Sequence, residues 1–475
     1  MEVSYCFIIL ASLFFCFILK SLLNSIHRSS LTKSPQKLPP GPRRLLILSD
    51  LPWLRNNFID FMKSLRRLRA QHGPIFTLRI GPRTSIFIAS HDLAYKALIQ
   101  EGATFADRPS SPGSNQHTIS SAPYGPTWRL LRGNLMTQIL HPSRVKSFSQ
   151  SRKHVLQHLI NKLKIESESS GDDHAVRVVD HFRHAMLSSL LSMCFGENLE
   201  EEVVGNVEKM MRAALVSSST RFSVLVFFPA RLSETLFPNR WKKLEEAKTS
   251  RERVLAPLIR ARALKQNNNK SNGNNVVCYV DSLLNLSMTE DAAPGRKLSE
   301  REIVGLCSEF LNAGADTTAT ALQWIMANLV RHQDVQDKVF EEIKRVARVE
   351  EEEFVREEDL KKMTYLKAVV LEGLRRHPPV HLPIPHAVTS EVTLEGHLVP
   401  RDASVVFMIA DMGWDPEVWD RPMEFDPGGS WMGEWKALIL VGIRGSRWCR
   451  LGRGEGSVPG LVCLCCIWSI LWRIW

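Results

Sequence analysis

Hydrophobic positions along the chain keep three rhythms. The first is unbroken. From Val3 to Leu19 no residue is charged, and Phe, Ile and Leu dominate. A membrane-spanning helix takes about 17–25 apolar residues, and this run just reaches that length. No basic residue precedes it and no small-x-small cleavage site follows, whereas Lys20, Arg28, Lys33, Lys37, Arg43 and Arg44 do follow. That order favours an uncleaved anchor over a cleaved signal peptide, and it holds the body on the cytosolic side. Next comes Lys37-Leu-Pro-Pro-Gly-Pro42. Its prolines exclude helix and central strand, so it reads as a rigid linker that would fix how the body sits on a bilayer.

The second rhythm is alternation. Ile75–Ile80 and Thr84–Ile88 alternate around Gly81-Pro82 and predict a hairpin. The third is the helical period, which predicts long helices over 140–165, 180–215, 298–331, 334–347 and 358–376. Gln266 to Asn275 is polar throughout and marks a surface loop, and Glu350 to Glu353 is an acidic, solvated cap or loop. The pattern predicts a mainly α fold with a small β part: a membrane anchor over 1–24, a basic and Pro-rich hinge over 25–44, a single catalytic-size domain over 45–427, and an irregular tail over 428–475.

Composition narrows this. The chain has 475 residues, of which 44% are hydrophobic and 23% charged, which excludes a disordered or collagen-like polymer. A net charge of +11 is mild for this length. It suits an anionic membrane surface or acidic partner and, equally, an ordinary basic face. There is no internal repeat, no Gly-rich phosphate loop and no basic–aromatic stripe, so nucleic acid is not an expected partner. The nine cysteines are an odd number, and Cys463-Leu-Cys-Cys466 lacks a second Cys or His pair to complete a zinc site. The body therefore reads as reduced and cytosol-facing.

Three polar constellations interrupt apolar helices. Ala313-Gly-Ala-Asp-Thr-Thr318 places a glycine and three polar side chains inside a long apolar run. A Thr hydroxyl bonding back to an earlier carbonyl can open a helix locally. This is either a kinked core helix or a notch for a small ligand, with an acid and a hydroxyl to relay protons. Glu372-Gly-Leu-Arg375 shares one helix face, and the apolar residues before it predict a partly buried pair that needs further partners. Trp128 and Arg132, at i and i+4, offer an indole N–H and a guanidinium to an anion, or form an amphipathic helix with snorkelling arginines.

Taken in order, the N-terminal anchor, P-P-G-P, W-x-x-x-R, A-G-x-D-T-T, E-x-x-R and Phe425-Asp426-Pro427 resemble the cytochrome P450 family of haem-thiolate monooxygenases. The plant microsomal type is the nearest. Ser121-Ala-Pro-Tyr-Gly-Pro-Thr-Trp128 and Ala321-Leu-Gln-Trp-Ile-Met-Ala-Asn328 are similar to its subfamily numbered eighty-nine. The resemblance runs from residue 1 to about 427. It implies haem b as cofactor and an NADPH-dependent cytochrome reductase as electron donor. It also implies an apolar small-molecule substrate and attachment to membrane lipid of the endoplasmic reticulum, with the catalytic domain in the cytosol. Asp316 and Thr317 would deliver protons on the oxygen side of the haem. Trp128, Arg132 and His386 would bind its propionates, Glu372 and Arg375 would form the ion-pair core beside it, and 110–116 would lie near the substrate.

The family also needs a thiolate in a loop of the form F-x-x-G-x-R-x-C-x-G, because a thiolate ligand pushes electron density onto iron. After Pro427 the composition changes: six of the 12 tryptophans and four of the nine cysteines lie in 428–475. Gly445-Ser-Arg-Trp-Cys449 keeps G-x-R-x-C and makes Cys449 the expected ligand, but Gly442 stands in place of Phe and Leu451 in place of the second Gly. Reading the codons from 428 onward one base earlier lets Gly428–Ser430 become x-Arg-Phe. In the same frame Cys449–Gly454 become Val-Pro-Phe-Gly-Ala-Gly, and Glu455–Gly460 become Arg-Arg-x-Cys-Pro-Gly. One shifted frame thus permits both the arginine that the family carries after Pro427, as a further partner of Glu372 and Arg375, and the whole cysteine loop. Two outcomes follow: a monooxygenase, or a catalytically dead, haem-poor, membrane-anchored relic.

Overall fold

The computed structural model describes residues 37–42, 58–80, 83–109, 118–171, 175–219, 235, 238–268, 277–288, 295–347 and 355–428. The apolar run at 3–19, most of the hinge, the Gly81-Pro82 turn, residues 110–116, the body of the 266–275 loop, the acidic run at 350–353 and the tail with Cys449 lie outside these. Among the described residues no helix is long and apolar enough to cross a membrane.

The elements in chain order are α1 (Phe58–His72), β1 (Ile75–Ile80), β2 (Arg83–Ile88), α2 (His91–Tyr95), α3 (Pro126–Asn134), α4 (Pro142–Ser147), α5 (Ser149–Ser169), α6 (Val178–Phe195), α7 (Glu201–Ser219), α8 (Pro238–Asn268), α9 (Tyr279–Leu284), α10 (Glu300–Arg331), α11 (Gln333–Ala347), α12 (Thr364–Arg376), β3 (His386–Ala387), β4 (Val392–Leu394), β5 (His397–Val399), β6 (Ser404–Phe407) and α13 (Ile409–Gly413). The fold is mainly helical with a small β part, as the pattern predicts. The hairpin forms with Ile75 opposite Ile88, and the sheet extends in the order β1-β2-β6-β3, with β2 and β6 parallel. The Pro-rich linker is stitched to the body: Pro40 O accepts from Thr77 N at 2.8 Å and Lys37 O from Leu398 N at 3.1 Å.

The helical period is right about location and too generous about length. The expected 180–215 helix is two, α6 and α7, because Gly196 caps α6 in the left-handed conformation at φ +80°. The expected 140–165 helix divides at Phe148.

α10 is the spine, and its sequence explains why. Ser299 and Glu302 form a reciprocal capping box that satisfies the first N–H groups, with Ser299 N donating to Glu302 Oε2 at 2.7 Å. Leu306, Cys307, Leu311 and Ala315 then pack into one hydrophobic cluster with α3, α6 and α9. Leu322, Ile325 and Leu329 pack into a second with α5, α11 and α12. One helix therefore joins both cores, and the A-G-A-D-T-T segment falls at the junction between them.

Candidate active site

A cavity of about 1300 Å³ lies along α10, lined there by Phe310, Asn312, Ala313, Gly314 and Thr318, and by Leu190 of α6. α6 packs close to Gly314: a Cβ on it would stand 2.7 Å from Leu190 Cδ1 and make that methyl turn aside. α10 stays α-helical throughout, although Thr317 Oγ1 does bond back to Ala313 O at 2.6 Å. The ligand-facing surface is made by small side chains, with Ala313 left exposed in mid-helix.

The polar groups of the cavity include two that the motifs do not signal. Glu309, one turn before Ala313, accepts from Ile119 N at 2.8 Å and from Ser120 N at 2.6 Å. Burial pushes its carboxyl above the ordinary value, against the pull of these hydrogen bonds and of Arg108. Arg108 donates to the carbonyls of Ile384 and Pro385, both at 3.0 Å, and burial lowers its pKa to about 10. A buried acid on the apolar face of α10 was a signal available in the sequence. Arg108 was not, because its role depends on two carbonyls far away in the chain.

The expected site residues divide into several environments. Asp316 is held by Arg183 of α6, with Nε 2.6 Å from Oδ1. Ala313 and Thr318 line the cavity, whereas Thr317, half-buried one turn after Ala313 on the same helix face, is not among its lining residues. Trp128 and Arg132 are both buried on α3, and the Trp128 indole N–H donates to Ile119 O at 3.0 Å. His386 is buried in β3, with Nδ1 2.6 Å from Phe105 O. Burial, assisted by Arg108, lowers its pKa to about 3, so the imidazole is neutral. A carbonyl only accepts, so Nδ1 carries the proton and Nε2 is a bare acceptor. In this state His386 offers no second N–H to a carboxylate.

The Glu372–Arg375 pair is buried and bidentate, at 2.8 and 2.6 Å. Arg375 also donates to the carbonyls of Gly413, Pro422 and Glu424, and Glu372 accepts from Asp426 N at 3.1 Å. A third charged partner from beyond Pro427 is therefore not needed to satisfy the arginine; backbone carbonyls of 413–424 do so. The further partners that a buried pair needs are thus backbone groups of 413–426.

The described residues fit the distal half of a haem pocket. The cavity is large and mostly apolar. Ala313 presents a small side chain on the open face of α10, with Thr317 one turn on, where a flat group can lie close. Two cationic side chains, half-buried Arg108 at the cavity wall and buried Arg132 on α3, suit carboxylates brought in by such a group. The tail with Cys449, the expected thiolate, lies outside the described residues.

The comparisons agree with this geometry. The chain is 43% identical over 467 residues to Cytochrome P450 89A9 of Arabidopsis thaliana, covering 96% of this chain and 88% of that protein. It is 28% identical to Cytochrome P450 71B3 of the same plant, covering 87% and 83%. A zebra fish cytochrome P450 solved with progesterone superposes with a TM-score of 0.63 at 20% identity, over 85% of this chain and 89% of that one, which shows the shared fold. The sequence profile described as Cytochrome P450 matches residues 39–429, ending where the composition changes. Members of that family are monooxygenase oxidoreductases that use haem b with a cysteine thiolate ligand. The mainly helical fold, the cavity beside α10 and a profile match across most of the chain together place this protein in the cytochrome P450 family of haem-dependent monooxygenases.

Proposed function

We propose that this chain oxidises a small apolar organic molecule with dioxygen, using electrons from NADPH delivered by a membrane-bound cytochrome reductase. The apolar run over 1–24 anchors it in the endoplasmic reticulum membrane, and the domain over 45–427 faces the cytosol. The observation that carries the substrate class is the cavity: about 1300 Å³, with an apolar wall that includes Leu135, Leu140, Val145, Met186 and Met193, beside charged groups such as Arg108, Arg251, Glu302 and Glu309. Such a pocket binds by burying apolar surface and orients its ligand through a few polar contacts.

Haem bound through a thiolate supplies the activation of dioxygen. The chain's own residues supply the rest. Arg132, with Trp128 beside it, holds propionates on the α3 side, and His386 joins them only if protonated. Glu372 and Arg375 fix the 413–424 segment against α12. Thr317 Oγ1, by donating to Ala313 O, turns its lone pairs to the open face. Asp316, paired with Arg183, is the neighbouring acid that passes protons to that hydroxyl. Glu309 and Arg108 set the polar end of the substrate pocket. Cys449 is the thiolate ligand.

One observation favours a second reading. The segment around Cys449 has Gly442 in place of the family's Phe and Leu451 in place of its second Gly, so the chain as written is a haem-poor relic of an active ancestor. We attribute this to a frame change near codons 427–430. Sequencing the transcript across that stretch tests it, and a read with no alternative frame ends the idea. The reduced, carbon-monoxide-bound difference spectrum separates the two readings. A Soret band far to the red that disappears in Cys449→Ala supports the enzyme; a chain that takes up haem without that band is the relic.

A further inference from the structure

On the side of α6 away from the haem cavity, three helices bring ligand-type side chains together. His158 comes from α5, His184 from α6, and Glu201 is the first residue of α7. Their candidate ligand atoms all lie within 4.8 Å of one another. They line a separate depression of about 430 Å³ that also contains His154, Lys162, Asp180 and Glu208. None of these residues belongs to the oxidation chemistry.

We propose that His158, His184 and Glu201 bind a divalent transition-metal ion of the zinc class, with water as the fourth ligand. Two imidazoles and one carboxylate are a donor set that zinc accepts with one position open. Zinc bonds of about 2.0–2.2 Å put tetrahedral ligand atoms roughly 3.4 Å apart. Closing from the present spread takes about an ångström of side-chain rotation. The geometry allows it: the Glu201 side chain is 62% exposed, and the two imidazole rings lie 6.3 Å apart on adjacent helices. Glu201 is now paired with Lys162, which a metal would displace from the carboxylate. His184 has a candidate outer partner near by: Glu208 Oε2 lies 3.6 Å from its Nδ1, while Glu208 Oε1 accepts from Arg212 at 2.7 Å. A carboxylate there orients the ring so that Nε2 faces the metal. Magnesium and calcium prefer oxygen ligands and do not suit this set. Binding would tie the start of α7 to α5 and α6.

The test uses the full chain, stripped with chelator and then given Zn²⁺ alone. The expected result is one zinc retained per chain after gel filtration and a raised thermal midpoint, with Mg²⁺ having no effect. Glu208→Gln, an outer-partner change, weakens retention about 10–100-fold. Glu201→Gln, at an exposed side chain that leaves the fold intact, weakens it by at least tenfold. His154→Ala, in the same depression but outside the set, keeps full binding. Wild-type chain that retains no zinc overturns the proposal, as does a His158→Ala/His184→Ala double variant that retains as much zinc as the wild type.

Discussion

Glu309 ties the 118–121 segment to α10 through two backbone N–H groups. Removing its carboxylate leaves those donors without their acceptor in a mostly buried place, at about 1–3 kcal/mol. Glu309→Ala is therefore expected to lower the unfolding free energy by that amount, read as a lower denaturant midpoint at unchanged slope; an unchanged midpoint shows the segment is held by something else. Thr317 makes no side-chain bond beyond its own helix that stability would rest on, since its hydroxyl donates to Ala313 O; its proposed role in proton delivery is therefore testable apart from folding. Thr317→Ala in a chain that shows the thiolate spectrum is expected to lower turnover about 10²-fold, the low end for a proton-transfer group, and to leave the spectrum as it was. Full turnover in that variant removes Thr317 from the proton path. The sequence pointed to Asp316 and Thr317 by their intrusion into an apolar run. Nothing in it signalled that Arg183 holds Asp316, since that pairing depends on how α6 crosses α10.

Helix termini and pairs decide at the next scale. Burial opposes ionisation of Glu302, but hydrogen bonds from Arg296 and Ser299 win and bring its pKa down to about 2. A lowered carboxylate pKa means the stabilisation is fully present above the unfolded value near 4.5 and is lost as pH falls toward about 2. Glu302→Gln is expected to be less stable at neutral pH and to lose less on acidification across that window. An acid limb of the stability curve identical to wild type contradicts the assignment. Glu372 and Arg375 are the harsher case. Arg375→Met strands a buried carboxylate and is expected to cost about 3–5 kcal/mol, read as a collapse of the thermal midpoint. A stable Arg375→Met chain would mean that the carbonyls of 413–424 need no guanidinium. The period of 3.6 located α10, α11 and α12 well, because each keeps one apolar face. It merged α6 with α7 because Gly196 and Glu197 interrupt the backbone without interrupting the spacing of apolar positions.

At the scale of the molecule, motif order carried the family while single motifs did not. E-x-x-R became specific only when the structure showed it buried and bound to three carbonyls. The small sheet was half legible: the β1–β2 hairpin is local, but β6 joins β2 in parallel from more than 300 residues away, and no short-range pattern announces that. The Pro-rich linker, expected as a spacer, is hydrogen-bonded to the body at both ends, so it orients the domain by contact as well as by stiffness. The profile match ends at 429, where the composition changes, while the alignment with Cytochrome P450 89A9, covering 96% of the chain, runs on past it.

The claim beneath all of this is that α10 and α3 enclose an iron porphyrin whose sulfur ligand comes from the tail. Haem uptake by the full chain, and by the chain with its alternative-frame tail restored, tests it most directly. The account predicts that the restored chain binds one haem and gives a far-red Soret band with carbon monoxide. If the restored chain stays colourless in excess haem, the cavity does not hold a porphyrin and the account is wrong.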